Sequence, residues 1–156
     1  MIVVSEGDAR HIGSIMPIMA DAFDPAFGEA WTASQCLSAL TIPGSRLLIA
    51  CRGTEVCGFT LSRWVLDSEE LLMIGVAKSV QRQAVGSTLL KEVVQRANEE
   101  GRTQIFIEVR DGNPAHQFYA NFGFQPIGRR KQYYKGMNGD RPDAITMNLN
   151  IPDSCK

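Results

Sequence analysis

The apolar residues of this chain follow a helical spacing in some segments and form short unbroken runs in others. After Asp8 they recur every three to four residues, the spacing of one helix face, and Asp24-Pro25 ends that pattern. Asp8 is of a type that caps helices, and Thr32 can likewise begin a helix that Pro43-Gly44 ends. Two helices are therefore predicted in the first third of the chain. The first of them carries Ile12, Ile15, Met16 and Met19.

Short apolar runs bounded by turn residues predict strands along the rest of the chain. The turn Arg52-Gly53-Thr54 joins two of these runs into a hairpin, which implies antiparallel pairing. Later runs alternate with a long amphipathic helix that Gly101 ends and a short helix that Asn113-Pro114 opens, and this alternation implies some parallel pairing. The predicted strands are 2–4, 47–51, 56–65, 70–76, 103–109, about 124–134 and 143–149.

These elements come in the order βααβββαβαββ. The order predicts an α/β fold with a mixed central sheet of about seven strands, flanked by about four helices. A length of 156 residues suits one domain with a single core. We expect that domain to span residues 1–150, followed by a short C-terminal tail at 151–156.

Composition and charge exclude several classes of function. Hydrophobic residues make up 44% of the chain and charged residues 21%, as in ordinary globular proteins. The formal net charge of −1 gives no reason to expect binding to nucleic acid or to an anionic membrane. No apolar run approaches the roughly 18–20 residues that cross a bilayer, and the first ten residues lack the pattern of a signal peptide. We expect a cytoplasmic protein.

Cysteine and histidine residues give no sign of a metal site. No C-x-x-C pair is present, and the cysteine spacings match no zinc pattern, so reduced thiols are expected. His11 and His116 lie far apart along the chain, without a partner at ligand spacing. The four cysteines are Cys36, Cys51, Cys57 and Cys155.

The most informative stretch joins an apolar strand to the long amphipathic helix. A helix N-terminus offers free N–H groups and partial positive charge, and the small residues Ala84, Gly86 and Ser87 would let a phosphate approach it, beside the cation Arg82. The stretch is neither a Walker loop nor a dinucleotide fingerprint. On these residues alone, a phosphate-binding loop and an ordinary connection both remain open. Gly75, in the preceding strand, indicates either a close approach to its backbone or simple packing under a helix.

The same stretch resembles a known family. Gln81-x-x-Ala84-x-Gly86 is similar to the acyl-CoA loop of the GNAT superfamily of N-acetyltransferases, whose pattern is Gln/Arg-x-x-Gly-x-Gly/Ala. Further motifs at nearly fixed spacing resemble the bacterial ribosomal-protein alanine N-acetyltransferases, and the resemblance covers about residues 55–149. Those motifs are Val65-Leu66-Asp67, Glu108-Val109-Arg110, Phe118-Tyr119, Gly123-Phe124, Arg129-Arg130, Tyr133-Tyr134 and Asp143-Ala144-Ile145.

The resemblance implies a GNAT-like sheet that is splayed open after its fourth strand and holds acetyl-CoA in the gap. Ala84 departs from the pattern, which has glycine there. If the position needs a positive φ, alanine adds about 1–2 kcal/mol of strain, and if φ is helical it costs little. The backbone of Ile74, Gly75 and Val76 would contact the acetyl-pantetheine arm. The pyrophosphate would be held by Arg82, Gln83, Ala84, Val85, Gly86 and Ser87.

Acetyl transfer to an amine needs a neutral amine, a group that takes its proton, and a proton for the leaving thiolate. A peptide α-amine has a pKa near 8, so roughly a tenth of it is neutral at pH 7, and a lysine is about a hundredfold worse. Protein N-termini are therefore the easier acceptors.

Glu108 and Tyr119 are the candidate base and acid. Glu108 stands in an apolar strand, where a carboxylate is either functional or paired with Arg110 or a cross-strand cation. Tyr119 is either an acid or an aromatic anchor beside Phe118 and Phe122. The resemblance implies that Glu108 is the general base and Tyr119 the general acid.

Three further residues are candidates for binding. Asn113 either corresponds to a family asparagine that contacts the cofactor or caps the helix that begins at Pro114. The resemblance places Tyr133 and Tyr134, near the end of the penultimate strand, at a peptide-binding groove; otherwise they pack on both faces of that strand. The run 129–131 is interpreted as a solvated strand edge and not as a nucleic-acid patch. Glu69 and Glu70 would favour a basic peptide beside the open sheet.

The sequence thus predicts an acetyl-CoA-dependent transfer to the N-terminal α-amine of a protein, possible partners being ribosomal proteins. Direct attack is expected, since no cysteine lies near the predicted site to form an acyl-enzyme. Two alternatives remain: acetylation of a small-molecule amine, and a non-catalytic acyl-CoA-binding module, which the departure at Ala84 would suit.

Overall fold

The computed structural model describes residues 1–24, 27–80, 84–136 and 139–152, and in them the strands form one seven-stranded mixed sheet. The spatial order is β1-β2-β3-β4-β5-β7-β6. All neighbours pair antiparallel except β4 and β5, which are parallel. The strands are β1 (Ile2–Gly7), β2 (Ser45–Arg52), β3 (Glu55–Val65), β4 (Ser68–Val76), β5 (Gln104–Arg110), β6 (Gln125–Arg130) and β7 (Ala144–Asn150).

Four α-helices of the described residues cover the sheet, and the order of elements is the one that the sequence predicts. Thr32 begins α2 as expected: its hydroxyl accepts from the N–H of Gln35, whose side chain accepts from the N–H of Thr32. Asp8 instead caps a short 3₁₀ helix that precedes α1. The helices are α1 (Ile12–Ala22), α2 (Ala33–Leu40), α3 (Val85–Glu99) and α4 (Ala115–Phe122).

The two faces of the sheet carry separate apolar clusters, which fix where the helices lie. On one face α1 and α2 pack on Phe59 and Leu61. On the other face α3 and α4 pack on Leu71 and Ile107. Alternation along each strand sends successive side chains to opposite faces, so the buried strand residues divide between the two clusters.

The penultimate strand is shorter than predicted, and the placement of Tyr133 and Tyr134 within it was wrong. β6 ends at Arg130, because Gln132 adopts a left-handed conformation with φ +52° that breaks the extended chain. The N–H of Gln132 donates to Asp143 Oδ1 at 2.8 Å, which holds the break in place. The two tyrosines therefore lie in the β6–β7 connection, where their side chains are free of the strand's alternation.

The sheet opens between its fourth and fifth strands. β4 and β5 pair only through Ser68–Gln104, Glu69–Ile105 and Glu70–Phe106, and the strands separate beyond those pairs. This separation agrees with the splayed sheet that the family resemblance implies. At the closed end Glu69 is fully buried, with Arg102 Nε 3.6 Å from its Oε1, and burial raises the pKa of Glu69.

Candidate active site

A cleft of about 810 Å³ lies where β4 and β5 separate. Its volume falls in the range of small-molecule sites, roughly 300–1,000 Å³. The wall includes residues from both strands, from α3 and α4, and from the α1–α2 and β6–β7 connections. Most of the residues singled out from the sequence meet here. They are Ile74, Val76, Gly86, Glu108, Asn113, Tyr119, Tyr133 and Tyr134.

The other candidates are not among the described residues that line the cleft. A Cβ on Gly75 would stand 2.7 Å from Cε1 of Phe59, so the glycine makes room for that ring. Of the two interpretations of Gly75, this agrees with simple packing, although the space is filled by an aromatic ring and not by a helix. Val85 is buried in the core, and Ser87 is half-buried outside the lining described for the cleft. Arg82 and Gln83 lie outside the described residues.

Ala84 adopts the left-handed conformation, with φ +61° and ψ +20°, immediately before α3. Its carbonyl accepts from the N–H of Thr88 at 3.0 Å and from the Thr88 hydroxyl at 2.8 Å. The question that the sequence left open is thereby answered, because the position has positive φ. Alanine carries about 1–2 kcal/mol of strain there that glycine would not.

Glu108 lies on the face of β5 opposite to Ile107 and Val109, whose side chains are buried in the core under α3 and α4. Its side chain is only 7% exposed. Oε2 accepts from the Thr146 hydroxyl at 2.8 Å, and Arg130 Nε lies 2.9 Å from Oε1, an ion pair without the alignment of a hydrogen bond. The cation that pairs with Glu108 is therefore the cross-strand arginine.

Arg110 pairs instead with Glu29, a residue of the α1–α2 connection that the sequence gave no reason to single out. Arg110 Nε donates to Glu29 Oε1 at 2.7 Å, and the Arg110 guanidinium lies 3.7 Å from the centroid of the Phe27 ring. The Glu29 side chain is 10% exposed and lines the cleft. A glutamate between two helices carries no local pattern, and only the folded chain reveals its partners.

Asn113 has both ends of its side chain engaged. Oδ1 accepts from the N–H of Ala115 at 2.9 Å, which caps α4, and Nδ2 donates to Glu29 Oε2 at 2.9 Å. Pro114 already has helical φ and ψ, −57° and −23°. The capping role is confirmed, and the side chain also lines the cleft.

Tyr119 is 4% exposed and packs edge-on against Phe118 and Phe124, with ring centroids 5.2 and 5.7 Å away. Burial raises the pKa of Tyr119 well above its ordinary value. Within the described part of the chain, its hydroxyl has no hydrogen-bond partner. The phenol therefore keeps its proton across the physiological range and borders the cleft in the form that an acid requires.

Tyr133 and Tyr134 border the cleft from the β6–β7 connection. Their rings pack edge-to-face at 5.0 Å, and the Tyr134 hydroxyl donates to the backbone carbonyl of Glu108 at 3.2 Å. A Cβ on Gly28 would collide with the carbonyl oxygen of Lys135, so the α1–α2 and β6–β7 connections touch. One side of the cleft is therefore bordered by two connections in direct contact.

The described residues that line the cleft carry only negative charge. They include three carboxylates and no lysine or arginine. Each carboxylate pairs with an arginine outside the lining. Glu69 is not among them, because it faces Arg102 in the core, so its expected role beside a peptide was wrong. The three pairs are Glu29–Arg110, Glu70–Arg63 and Glu108–Arg130.

The cleft fits the acetyl-CoA that the resemblance implies. Facing edges of β4 and β5 leave backbone groups without strand partners along an extended gap. The N-terminus of α3 opens at this gap, and a Cβ on Gly86 would have the Phe118 ring 3.5 Å away as its nearest neighbour, an ordinary contact. The described residues contain no cluster of His, Cys, Asp or Glu placed to hold a metal ion. None of their helices has both the length and the apolar character that crossing a membrane requires.

Comparison with known proteins agrees with this geometry. A profile described as the Acetyltransferase (GNAT) family matches residues 14–124. A ribosomal protein bS18-alanine N-acetyltransferase of Haemophilus influenzae is 31% identical over 93 residues, 60% of this chain and 64% of that protein. A putative enzyme of the same description in Bacillus subtilis is 30% identical over 128 residues, 81% of this chain and 83% of that protein. The match to the Haemophilus relative thus spans just under two thirds of its length.

Solved structures extend the likeness over the whole fold. The crystal structure of the ribosomal-protein-S18-alanine N-acetyltransferase from Escherichia coli has a TM-score of 0.86 at 27% identity, covering 97% of this chain and 94% of that chain. A ribosomal-protein-alanine N-acetyltransferase from Brucella melitensis has a TM-score of 0.79 at 22% identity, covering 96% and 99%. At 22% identity, the likeness to the Brucella structure shows the fold alone.

Proposed function

Because the chain belongs to the GNAT family of acetyltransferases, we propose that it transfers an acetyl group from acetyl-CoA to the α-amine of a protein N-terminus. The observation that carries the proposal is that a carboxylate and a protonated phenol, Glu108 and Tyr119, line the same cleft. The descriptions of the bacterial relatives support a ribosomal protein with an N-terminal alanine as the acceptor.

The donor would lie along the gap between β4 and β5. Acetyl-CoA supplies an activated thioester, which an amine can attack directly. The backbone of Ile74 and Val76 lies on the gap side of β4 and is available to an extended arm. The free N–H groups at the start of α3, next to Gly86, are available to the pyrophosphate. The described lining contains no cysteine, which agrees with transfer without an acyl-enzyme.

The chain's own residues would move two protons. Glu108 takes the proton that the acceptor nitrogen loses as the N–C bond forms. Tyr119 gives its phenolic proton to the sulfur as the C–S bond breaks. Thr146 and Arg130 hold the carboxylate of Glu108, and the apolar surroundings of Tyr119 keep its proton in place until it is needed.

The acceptor would enter beside Tyr133 and Tyr134, at the side bordered by the α1–α2 and β6–β7 connections. A neutral amine is required there, and an α-amine is neutral about a hundredfold more often than a lysine near pH 7. Before the amine loses its proton, the carboxylates of the lining would favour a cationic acceptor over an anionic one.

The test is a free-thiol release assay with acetyl-CoA and a peptide that begins with alanine. Glu108→Gln is expected to lower kcat by roughly 10²–10⁴ and to leave acetyl-CoA affinity near normal, because only the proton acceptor is removed. Glu92→Gln is the matched control, because this half-buried glutamate of α3 pairs with Arg96 and lies outside the lining described for the cleft. Blocking the α-amine of the peptide should abolish the signal, and unchanged turnover in Glu108→Gln would remove that residue from the mechanism.

A small-molecule amine is the second candidate acceptor, and the contact between Gly28 and Lys135 favours it, because touching connections narrow the acceptor side. Product mass spectrometry on a panel of peptides and polyamines separates the two. Acetyl-CoA binding without turnover of any amine would favour a non-catalytic module, for which the strain at Ala84 is the supporting observation.

A further inference from the structure

We infer that Arg130 is a positioning residue for the reaction, which holds the carboxylate of Glu108 in the orientation that proton transfer needs. The inference rests on the proposed function, since it takes Glu108 as the base. Arg130 Nε lies 2.9 Å from Oε1, and the Thr146 hydroxyl donates to Oε2 at 2.8 Å. One oxygen of the carboxylate is thus held from the adjacent strand β7 and the other from β6, the strand beyond it.

The register of the sheet explains how Arg130 reaches Glu108. Thr146 on β7 stands opposite Glu108 on one side and opposite Gly128 on the other. Gly128 offers no side chain, and a Cβ there would meet nothing within 4 Å. Arg130, two residues further along β6, shares the face of Gly128, so its long side chain extends diagonally across β7.

The ion pair is poorly suited to stabilising the fold, which leaves orientation as its contribution. The Arg130 side chain is 60% exposed, whereas that of Glu108 is 7% exposed. Holding a long, largely solvated arginine side chain in one geometry costs conformational entropy, which offsets much of what such a pair contributes to folding. The Arg130 side chain nevertheless restricts the rotamers of the nearly buried Glu108 carboxylate, which it contacts from the solvent side. Restraint of this kind determines how accurately a base is placed.

Contacts of Arg130 also link the base to the acceptor side. Its guanidinium lies 5.4 Å from the centroid of the Tyr133 ring, which packs on Tyr134. Tyr134 in turn donates to the backbone carbonyl of Glu108 at 3.2 Å. Through Arg130 and the two tyrosines, these contacts connect the carboxylate of Glu108 with its own main-chain carbonyl. Arg130 therefore sets the base and the proposed acceptor residues relative to each other.

The neighbouring arginine provides a matched control. Arg129 lies on the opposite face of β6 and pairs with Asp111 and Asp143, both at 2.8 Å. It lies outside the lining described for the cleft. Arg129→Gln and Arg130→Gln remove the same charge from adjacent positions of one strand, so a difference between them reports on Glu108 and not on net charge.

The experiment measures kcat, the acceptor KM and acetyl-CoA affinity for Arg130→Gln, Arg130→Lys and Arg129→Gln. Arg130→Gln is expected to lower kcat by roughly tenfold with acetyl-CoA affinity unchanged, as for other residues that orient a reacting group. Arg130→Lys should recover part of the loss, because it keeps a cation in reach of Oε1. Arg129→Gln should match the unmodified chain, and melting curves confirm that each variant folds.

A double-mutant cycle decides whether Arg130 acts through Glu108. In the Glu108→Gln background, Arg130→Gln is expected to cause no further loss of kcat, whereas an independent structural effect would add. Wild-type kcat in Arg130→Gln, or an equal further loss in the Glu108→Gln background, would overturn the inference. If kcat is impaired in Glu108→Gln and normal in Arg130→Gln, only the inference is overturned and the proposed mechanism stands. Normal Glu108→Gln overturns the proposed mechanism and the inference with it.

Discussion

The side-chain amide of Asn113 donates to the carboxylate of Glu29 at 2.9 Å and joins two residues 84 positions apart in the chain. The other oxygen of Glu29 accepts from Arg110. One glutamate of the α1–α2 connection thereby fixes the end of β5 and the start of α4, the two elements that carry the proposed catalytic residues. The first third of the chain, which lies outside the stretch whose motifs resemble the family, takes part in building the site.

Glu29→Ala is expected to lower the free energy of unfolding by about 2–3 kcal/mol, because Arg110, only 12% exposed, would lose its partner. Urea denaturation at pH 7 measures the change. Glu92→Ala, which removes one side of the more accessible i,i+4 pair Glu92–Arg96, serves as the control and should cost no more than about 0.5 kcal/mol. Equal losses in the two variants would show that the Glu29–Arg110 pair is no stronger than the more accessible Glu92–Arg96 pair.

Ala84→Gly is expected to raise the free energy of unfolding by about 0.5–1 kcal/mol. The substitution relieves the strain of a left-handed alanine, and the greater freedom of glycine in the unfolded chain offsets part of the gain. Acetyl-CoA affinity, measured by calorimetry, should be preserved or tightened. Ala33→Gly, at the first residue of α2, has no such strain to relieve and should lose up to about 1 kcal/mol. A loss in Ala84→Gly that matched this control would contradict the positive φ.

Gly75→Ala is expected to destabilise the chain by about 1–3 kcal/mol, since the added methyl group would meet the Phe59 ring at 2.7 Å. In a Phe59→Leu background the same substitution should cost less, because the obstructing ring is gone. Thermal unfolding of the two single variants and the double variant measures this coupling. Additive losses would show that Gly75 serves something other than the packing of Phe59.

Stability is expected to fall above about pH 10 with a contribution from Tyr119. Burial raises the pKa of Tyr119 in the folded chain, so the unfolded chain releases this proton first, near its ordinary value of about 10. Fewer protons are then bound in the unfolded state, and the free energy of unfolding declines as pH rises. Below about pH 10 the contribution is fully present.

Tyr119→Phe should make that alkaline decline shallower by up to about 1.4 kcal/mol per pH unit, as urea denaturation between pH 9 and 11 would show. Its stability at pH 7 should change little, because the hydroxyl that is lost has no partner in the described structure. Phe124→Leu perturbs the same aromatic cluster without removing a phenol and should leave the slope intact. An unaltered slope in Tyr119→Phe would contradict the raised pKa.

The order of the elements could be predicted because each helix and strand carries its own periodicity. The end of β6 could not, because it depends on the left-handed Gln132 and its contact with Asp143, and neither leaves a local pattern. The backbone of Ala84 was undecidable for a related reason, since an alanine is compatible with both signs of φ.

The site was predictable only in part. Glu108, Asn113 and Tyr119 stand in motifs, and the structure places all three at one cleft. The partners Glu29 and Arg130 were not identified, because their roles depend on contacts between distant segments and on the register of β6 against β7. The resemblance supplied the splayed sheet, which alternation and spacing do not encode.

Only three residue pairs join β4 to β5, so the main-chain groups that lack strand partners lie in the middle of the sheet and not only at its rims. Beyond Glu70 and Phe106, alternate amides of both strands face the gap. Deuterium should enter these amides early, although well-paired strands stand on either side of them. Hydrogen exchange would then be detected first at amides in the middle of the sheet. A ligand bound in the gap would slow the exchange along the facing edges of β4 and β5.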